Sequence, residues 1–315
     1  MMKKISGSWF EFQHCGWWEA RDWNPRFLYF KPKHWEALLE EMAEIGLEYL
    51  VLMHSALNSK TFYRSVHFES FPMATDEPME VMFQAADRLG MKIFVGNDFF
   101  GEWRYADRMF FDREVARRRE IAMEEIAERF AHHPSFYGWY WPNELDIYPY
   151  YDDVFLRYVK ENNALNAKFT PGKKTLIAPY GTFHLKVDEH FLRNLEELDV
   201  DVVAYQDEIG VKKANVEWTP LYFERLKAAH DKVGRSALWA DMEIFEFEGT
   251  VYRSALYGAD FSRVRRQLEG IAPFVEKVLI YQYPGLMSKP GSKAFTPNSV
   301  AEKLYDEYVK YLQGI

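Results

Sequence analysis

An alternation repeated eight times limits most strongly what this chain can fold into. Short β-rich runs begin near Ile5 (ISGSWFEF), Leu47 (LEYLVLM), Met91 (MKIFVGND), Phe136 (FYGWYWPNE), Lys174 (KTLIAPYG), Val200 (VDVVAYQ), Ser236 (SALWADMEIF) and Lys277 (KVLIYQY). They are continuous apolar runs rather than strict alternations, as parallel strands covered on both faces require. Helical patterns lie between them. Trp35, Leu38, Leu39 and Met42 share one face behind Pro32, which is placed to open a helix. Phe261, Val264, Leu268 and Ile271 do the same behind Asp260, a suitable N-cap, and Val300, Leu304, Tyr308 and Leu312 form a last apolar face. Gly46, Gly90 and Gly234 each stand just past a helix and before a strand, where a left-handed residue turns the chain back.

Eight β/α units predict an α/β fold, a single (β/α)8 TIM barrel over residues 1–315 with long βα loops. The 315 residues exceed the roughly 250 typical of that barrel, and no Gly/Ser/Pro-rich linker divides them. The alternative, an open doubly wound sheet, would usually carry a Gly-rich phosphate turn after its first strand. Here that strand runs into Phe12-Gln13-His14-Cys15-Gly16-Trp17.

Charge and cysteine content narrow the partners. A formal charge of −9 with no basic block argues against nucleic acid and against an anionic membrane surface. The single cysteine, Cys15, excludes an internal disulfide and suits a reducing compartment. Met1-Met2-Lys3-Lys4 is followed too soon by polar residues for a secretory h-region, and no run approaches the ~20 apolar residues of a membrane span. The expectation is a cytoplasmic protein. Its oligomeric state is left open, a homo-oligomer included.

Barrel enzymes build their sites at the C-terminal ends of the strands. Read that way, the runs end in Asn97-Asp98, Asn143-Glu144, Tyr180, Tyr205-Gln206-Asp207, Asp241-Met242-Glu243 and Tyr281-Gln282-Tyr283, with His14 and His54 after the first two. Glu144 and Glu243 fall on roughly opposite sides of the mouth. Two carboxyls across a cleft suit glycoside hydrolysis, one protonating the leaving oxygen and the other attacking or activating water. Asp241, Glu246 and Glu248 are alternatives to Glu243, and because side chains alternate along a strand, Asp241 and Glu243 share a side.

Aromatic residues crowd the same rim. Trp17, Trp18 and Trp23 follow strand one, Trp103 and Tyr105 strand three, Tyr148, Tyr150 and Tyr151 strand four, and Phe245 and Phe247 strand seven. Sugar rings stack on such faces while amides and carboxylates take up hydroxyls, so a carbohydrate substrate is expected. Candidate substrate contacts are Trp17, Trp18, Trp103, Tyr180, Trp239, Gln206, Asp207, Asp98, Gln282 and His54.

Trp141-Pro142-Asn143-Glu144, Trp239-Ala240-Asp241-Met242-Glu243 and Tyr205 at the end of strand six resemble the clan A glycosidases, retaining (β/α)8 enzymes with catalytic Glu residues after strands four and seven. The resemblance implies Glu144 as acid/base, Glu243 as nucleophile, Asn143 on the sugar 2-hydroxyl, Tyr205 bonded to the nucleophile, and no cofactor. Ile5-Ser6-Gly7, Tyr205-Gln206-Asp207 and the segment Trp239 to Phe245 are also similar to a family of uncharacterised glycosidase-like barrels. The chain departs from the clan at strand two, where Met53-His54 replaces the usual Arg, and at strand eight, where Tyr281, Gln282 and Tyr283 replace a Trp. Two rivals stay open. One is a sugar isomerase or epimerase holding a divalent metal with Glu144, Asp207, Glu243 and His54 or His184; the other is a barrel that binds carbohydrate without cleaving it.

Overall fold

The computed structural model describes residues 3–294 and 299–315. Eight parallel strands close a barrel: β1 (Gly7–Phe10), β2 (Tyr49–Leu52), β3 (Lys92–Gly96), β4 (Phe136–Tyr140), β5 (Lys174–Ile177), β6 (Val202–Gln206), β7 (Ala237–Glu243) and β8 (Lys277–Tyr281). The ring is sealed at β1, where Gly7 pairs with Tyr49 of β2 on one side and Leu279 of β8 on the other. Around it run α1 (Pro32–Glu44), α2 (Pro78–Leu89), α3 (Arg113–Phe130), α4 (Asp153–Phe169), α5 (Glu189–Glu197), α6 (Thr219–Val233), α7 (Phe261–Ile271) and α8 (Ser299–Gln313). The expected (β/α)8 barrel is the fold observed.

Local sequence sets the helix ends. Proline opens α1 and α2, where a missing N–H costs nothing. The carboxylates of Asp112, Asp152, Asp188 and Asp260 accept first-turn N–H groups of α3, α4, α5 and α7. Gly90 and Gly234 close α2 and α6 at φ +68° and +66°, the left-handed conformation their place in the sequence implied. The phenol of Tyr308 in α8 accepts the Ile5 N–H at 2.8 Å, tying the last helix to the entry of β1.

Strand alternation divides the core in two. Trp9, Tyr49, Val51, Phe94, Tyr140, Leu176, Val202, Ala204, Trp239 and Leu279 fill the barrel interior. Phe10, Leu50, Leu52, Ile93, Val95, Trp139, Ile177, Val203, Tyr205, Met242 and Ile280 face the helices. That parity continues past the strand ends and decides which rim residues reach the mouth. Much of the rim aromatic content is structural: Trp23 and Tyr151 are buried in the outer core. Trp17, Trp18, Tyr105 and Tyr148 are exposed, as expected of rim platforms. No helix among the described residues is long and apolar enough to cross a membrane.

Candidate active site

At the C-terminal mouth of the barrel lies a cavity of about 570 Å³, a size suited to a small-molecule ligand. Glu144, Gln206, Asp241, Glu243 and Tyr281 line it from the strand ends, with Glu11, His14, Trp103, Tyr180, Glu208, Lys213 and Tyr252 from the loops. The C-terminal part of the wall is a hairpin in which Phe245–Phe247 pairs antiparallel with Leu256–Gly258. The Leu256 N–H donates to the Glu19 carbonyl at 2.9 Å, fastening the hairpin to the loop after β1.

Glu144 stands four residues beyond Tyr140, on the same inward parity. The Tyr140 hydroxyl donates to its Oε1 at 2.9 Å. Burial pushes the Glu144 carboxyl up to about 7, against the hydrogen bonds of Gln206 and Tyr140 and the charge of Lys213. It therefore keeps a proton near neutrality, as a general acid must.

Glu243 ends β7, two residues above Asp241 and four above Trp239. Its Oε2 accepts the Val211 N–H at 2.8 Å. Burial first, and then the neighbouring Asp207 carboxylate, raise Glu243 well above the usual range, while Arg263 acts in the opposite direction. Asp207 itself points away from the mouth. Its Oδ1 accepts the Glu243 N–H at 3.0 Å and its Oδ2 accepts from Gln267 of α7 at 2.7 Å. Burial lifts Asp207 only to about 6, because these donors favour its charge. The Arg263 guanidinium donates to the carbonyls of Glu243 and Phe245 at 3.3 and 2.8 Å. A cation thus approaches the strand-seven carboxylate from α7, although none comes from the end of β2.

Asp241 also faces the cavity. Its Oδ1 has no hydrogen-bond partner, and burial followed by the charges of Glu144 and Glu243 raises it well above an ordinary aspartate. Asp241 has the like charges of Glu144 and Glu243 beside it, and Glu243 has that of Asp207, so both retain protons that exposed carboxyls would lose.

A second cluster occupies the β1 side. His14 donates from Nδ1 to Glu11 at 2.7 Å and from Nε2 to Glu19 at 2.9 Å. Burial alone would neutralise this imidazole, but the Glu11 charge holds it protonated well above the usual histidine range. Gln282 Nε2 donates to Glu11 at 2.8 Å, and the Tyr281 hydroxyl lies 3.3 Å from the same oxygen. The Tyr281–Gln282 peptide is cis.

Several expected contacts lie elsewhere. Tyr205 points into the helix layer, where its hydroxyl accepts from Tyr151 and donates to His230 Nε2, both at 3.1 Å, and it does not line the cavity. Tyr205→Phe should therefore cost about 1–3 kcal/mol of stability, since it leaves the buried Tyr151 hydroxyl and His230 Nε2 without this partner, and leave the pH profile of turnover in place. Chemical denaturation beside pH-rate measurements checks both; a shifted profile would return Tyr205 to the site.

Asn143 faces outward and donates to the Ala106 carbonyl at 3.2 Å. Asp98 is buried between Arg119 of α3 and Tyr158 of α4, at 3.1 and 2.9 Å. β3 stops at Gly96, whose missing Cβ would stand 2.2 Å from the Met53 carbonyl, and the chain turns outward there. Trp239 is interior packing, with its ring centroid 4.9 Å from that of Tyr49. Gln282 supports Glu11 from behind. His54 is buried against Phe62 and Phe99, and burial lowers it to about 4. Trp17 and Trp18 border an adjoining cavity, and Trp103 borders both. Glu144, Glu243, Gln206, Tyr180 and Trp103 do converge on the mouth.

The donor set of the metal-dependent rival does not assemble. His184 packs on Phe183 and Tyr148 at the surface, Asp207 is committed to Gln267, and no three His, Cys, Asp or Glu among the described residues are placed to hold an ion. Glu11, Glu208 and Lys213 line the cavity without having been singled out as substrate contacts, and His14, which follows β1 and was expected to reach substrate, lines it too. The signal for Glu11 was its parity with Trp9, two residues earlier in the same strand run.

Solved structures similar to this one share its barrel. The "putative alpha-L-fucosidase" of Bacteroides thetaiotaomicron superposes with a TM-score of 0.76 at 18% identity, over 99% of this chain and 94% of that one. The endo-1,4-beta-D-mannanase of Thermotoga petrophila does so with 0.64 at 11%, over 97% and 99%. The beta-galactosidase of Halorubrum lacusprofundi gives 0.63 at 12%, over 98% of this chain and 58% of the other. At these identities the likeness is one of fold. No curated protein matches the chain by sequence. A family model described as "Domain of unknown function (DUF4434)" matches residues 5–294, and the chain belongs to that family.

Proposed function

We propose that the protein is a glycoside hydrolase that cleaves O-glycosidic bonds by a retaining double displacement. The observation that carries this reading is the pairing of Glu144, protonated to about 7, with Glu243 at the end of β7, both lining one cavity. Glu243 attacks the anomeric carbon as Glu144 delivers its proton to the leaving oxygen; Glu144 then takes a proton from the water that releases the sugar. The Val211 N–H and Arg263 favour the ionised form of Glu243, and positive charge developing on the sugar in the transition state favours it further. Retention corresponds to a carboxyl separation of about 5–5.5 Å, and inversion to about 6.5–9.5 Å. The glycosidase names of the barrel neighbours agree with the reading.

Asp241 is the second candidate for the nucleophile, because its unpartnered oxygen faces the same space and the Glu144 charge is the largest acting on it. A panel of α- and β-linked aryl glycosides and oligosaccharides tests the function. Release of sugar from at least one linkage by the wild type is expected, and Glu144→Gln should slow it by roughly 10²–10⁴-fold where the leaving group needs a proton. Saturable sugar binding with no release across the panel would establish the non-catalytic barrel instead.

A further inference from the structure

The catalytic cavity is not isolated. His14, Cys15 and Trp103 border both it and a second cavity of about 550 Å³, formed by the loops after β1, β2 and β3. Gln13, Trp17 and Phe71 in turn border both the second and a third of about 590 Å³, which ends at Tyr29. Three spaces of similar size therefore run in series from the carboxylates across one side of the rim.

Their chemistry changes along the way. The first is lined by Glu11, Glu19, Glu144, Glu208, Asp241 and Glu243. Among the described residues, no carboxylate lines the second or third, where indole, phenyl and carboxamide groups take over. The one guanidinium there, Arg104, is paired with Glu102 at 3.0 Å. Trp17 is 53% exposed, which is unusual for the largest apolar side chain and leaves its ring open to a partner. Its neighbours are fixed. The Trp18 indole donates to the Tyr252 carbonyl at 2.8 Å, and the Trp103 N–H donates to Asn58 Oδ1 at 3.0 Å. Trp18 and Trp103 stand with ring centroids 6.3 Å apart, at the passage from the first cavity to the second.

We propose that this series is a binding groove for an extended, uncharged oligosaccharide, with Trp17 as a distal stacking platform beyond the catalytic cavity. Uncharged sugars fit because stacking and amide hydrogen bonds need no counter-ion, whereas an anionic chain would meet the carboxylates of the first cavity, where Lys213 and His14 already face Glu208, Glu11 and Glu19. The inference rests on the glycosidase reading for the identity of the first cavity, and its test is a binding measurement independent of turnover.

Titration calorimetry of Glu144→Gln with gluco-, manno- and galacto-oligosaccharide ladders, disaccharide to hexasaccharide, should find one ladder whose affinity keeps rising with length. In the double variant with Trp17→Ala that gain should fall, with the longest sugar bound on the order of three- to tenfold more weakly. Trp17→Phe, which keeps a stacking face, should recover part of it. A uronate ladder of matched length should bind more weakly than the neutral one. Affinity that stops rising once the first cavity is filled, or a length dependence untouched by Trp17→Ala, would overturn the groove. Length-dependent binding without wild-type cleavage would leave the groove standing and overturn the hydrolase.

Discussion

Glu144→Gln should lower kcat/KM on glycosides with poor leaving groups by roughly 10²–10⁴-fold, the range that a positioned general acid contributes. Substrates whose leaving group departs without a proton should lose far less in the first step. The wild-type pH profile should fall as pH rises through about 7, where Glu144 gives up its proton, and that limb should be absent in the variant. The same carboxyl carries a stability consequence of the opposite sign. Its folded value lies above the ordinary 4.5, so its contribution to stability is complete below about 4.5 and is lost as pH rises through about 7. At pH 8 the non-ionising glutamine should therefore make the fold more stable than wild type, by on the order of 1–3 kcal/mol. Denaturant titrations at pH 5 and pH 8 measure this; equal stabilities of variant and wild type at both would contradict the enclosed, proton-retaining Glu144. A gain in stability together with a loss of activity separates a catalytic acid from a structural one.

The second large effect is expected at β7. Glu243→Gln should reduce turnover by roughly 10³–10⁶-fold, as loss of a nucleophile does, even on substrates with good leaving groups. Asp241→Asn should cost less if Glu243 attacks, and more if Asp241 does. The ascending limb of the pH profile belongs to Asp207 and Glu243 together, since each charge opposes the other. Asp207→Asn removes that opposition and should move the ascending limb to lower pH. An unmoved limb would mean that the group titrating there is not Glu243.

How much of this was legible follows from strand parity. The eight-fold alternation, Pro32 at the start of α1 and the left-handed Gly90 and Gly234 depend on local sequence, and each stands where the sequence implied. Trp239, Asp241 and Glu243 point inward because they share one parity on a regular strand. The same rule sends Tyr205 and Asn143 outward, since Ala204 and Tyr140 face the interior. The roles that the resemblance implied for Asn143 and Tyr205 need the inward face, which their parity does not give them. Asp98 is a different case. It has the inward parity of Phe94, but the strand stops at Gly96, two residues earlier, and the carboxylate turns to Arg119. The cluster of Glu11, His14, Glu19 and Gln282 joins residues up to 271 positions apart. Only barrel closure between β1 and β8 brings them together, and no local pattern encodes that. The exposed Trp17 and Trp18 were visible as rim aromatics, whereas their separation from the catalytic cavity depends on how three loops pack.

The most direct test maps a covalent intermediate. Once the screen identifies a cleaved sugar, the matching 2-deoxy-2-fluoroglycosyl fluoride should inactivate the enzyme, because the 2-fluorine slows both steps while the fluoride leaving group keeps the first one fast. Peptide mass spectrometry should then find one glycosyl residue on Glu243. An adduct on Asp241, or hydrolysis that inverts the anomeric centre with no adduct on any carboxyl, would contradict Glu243 as the nucleophile of a retaining mechanism.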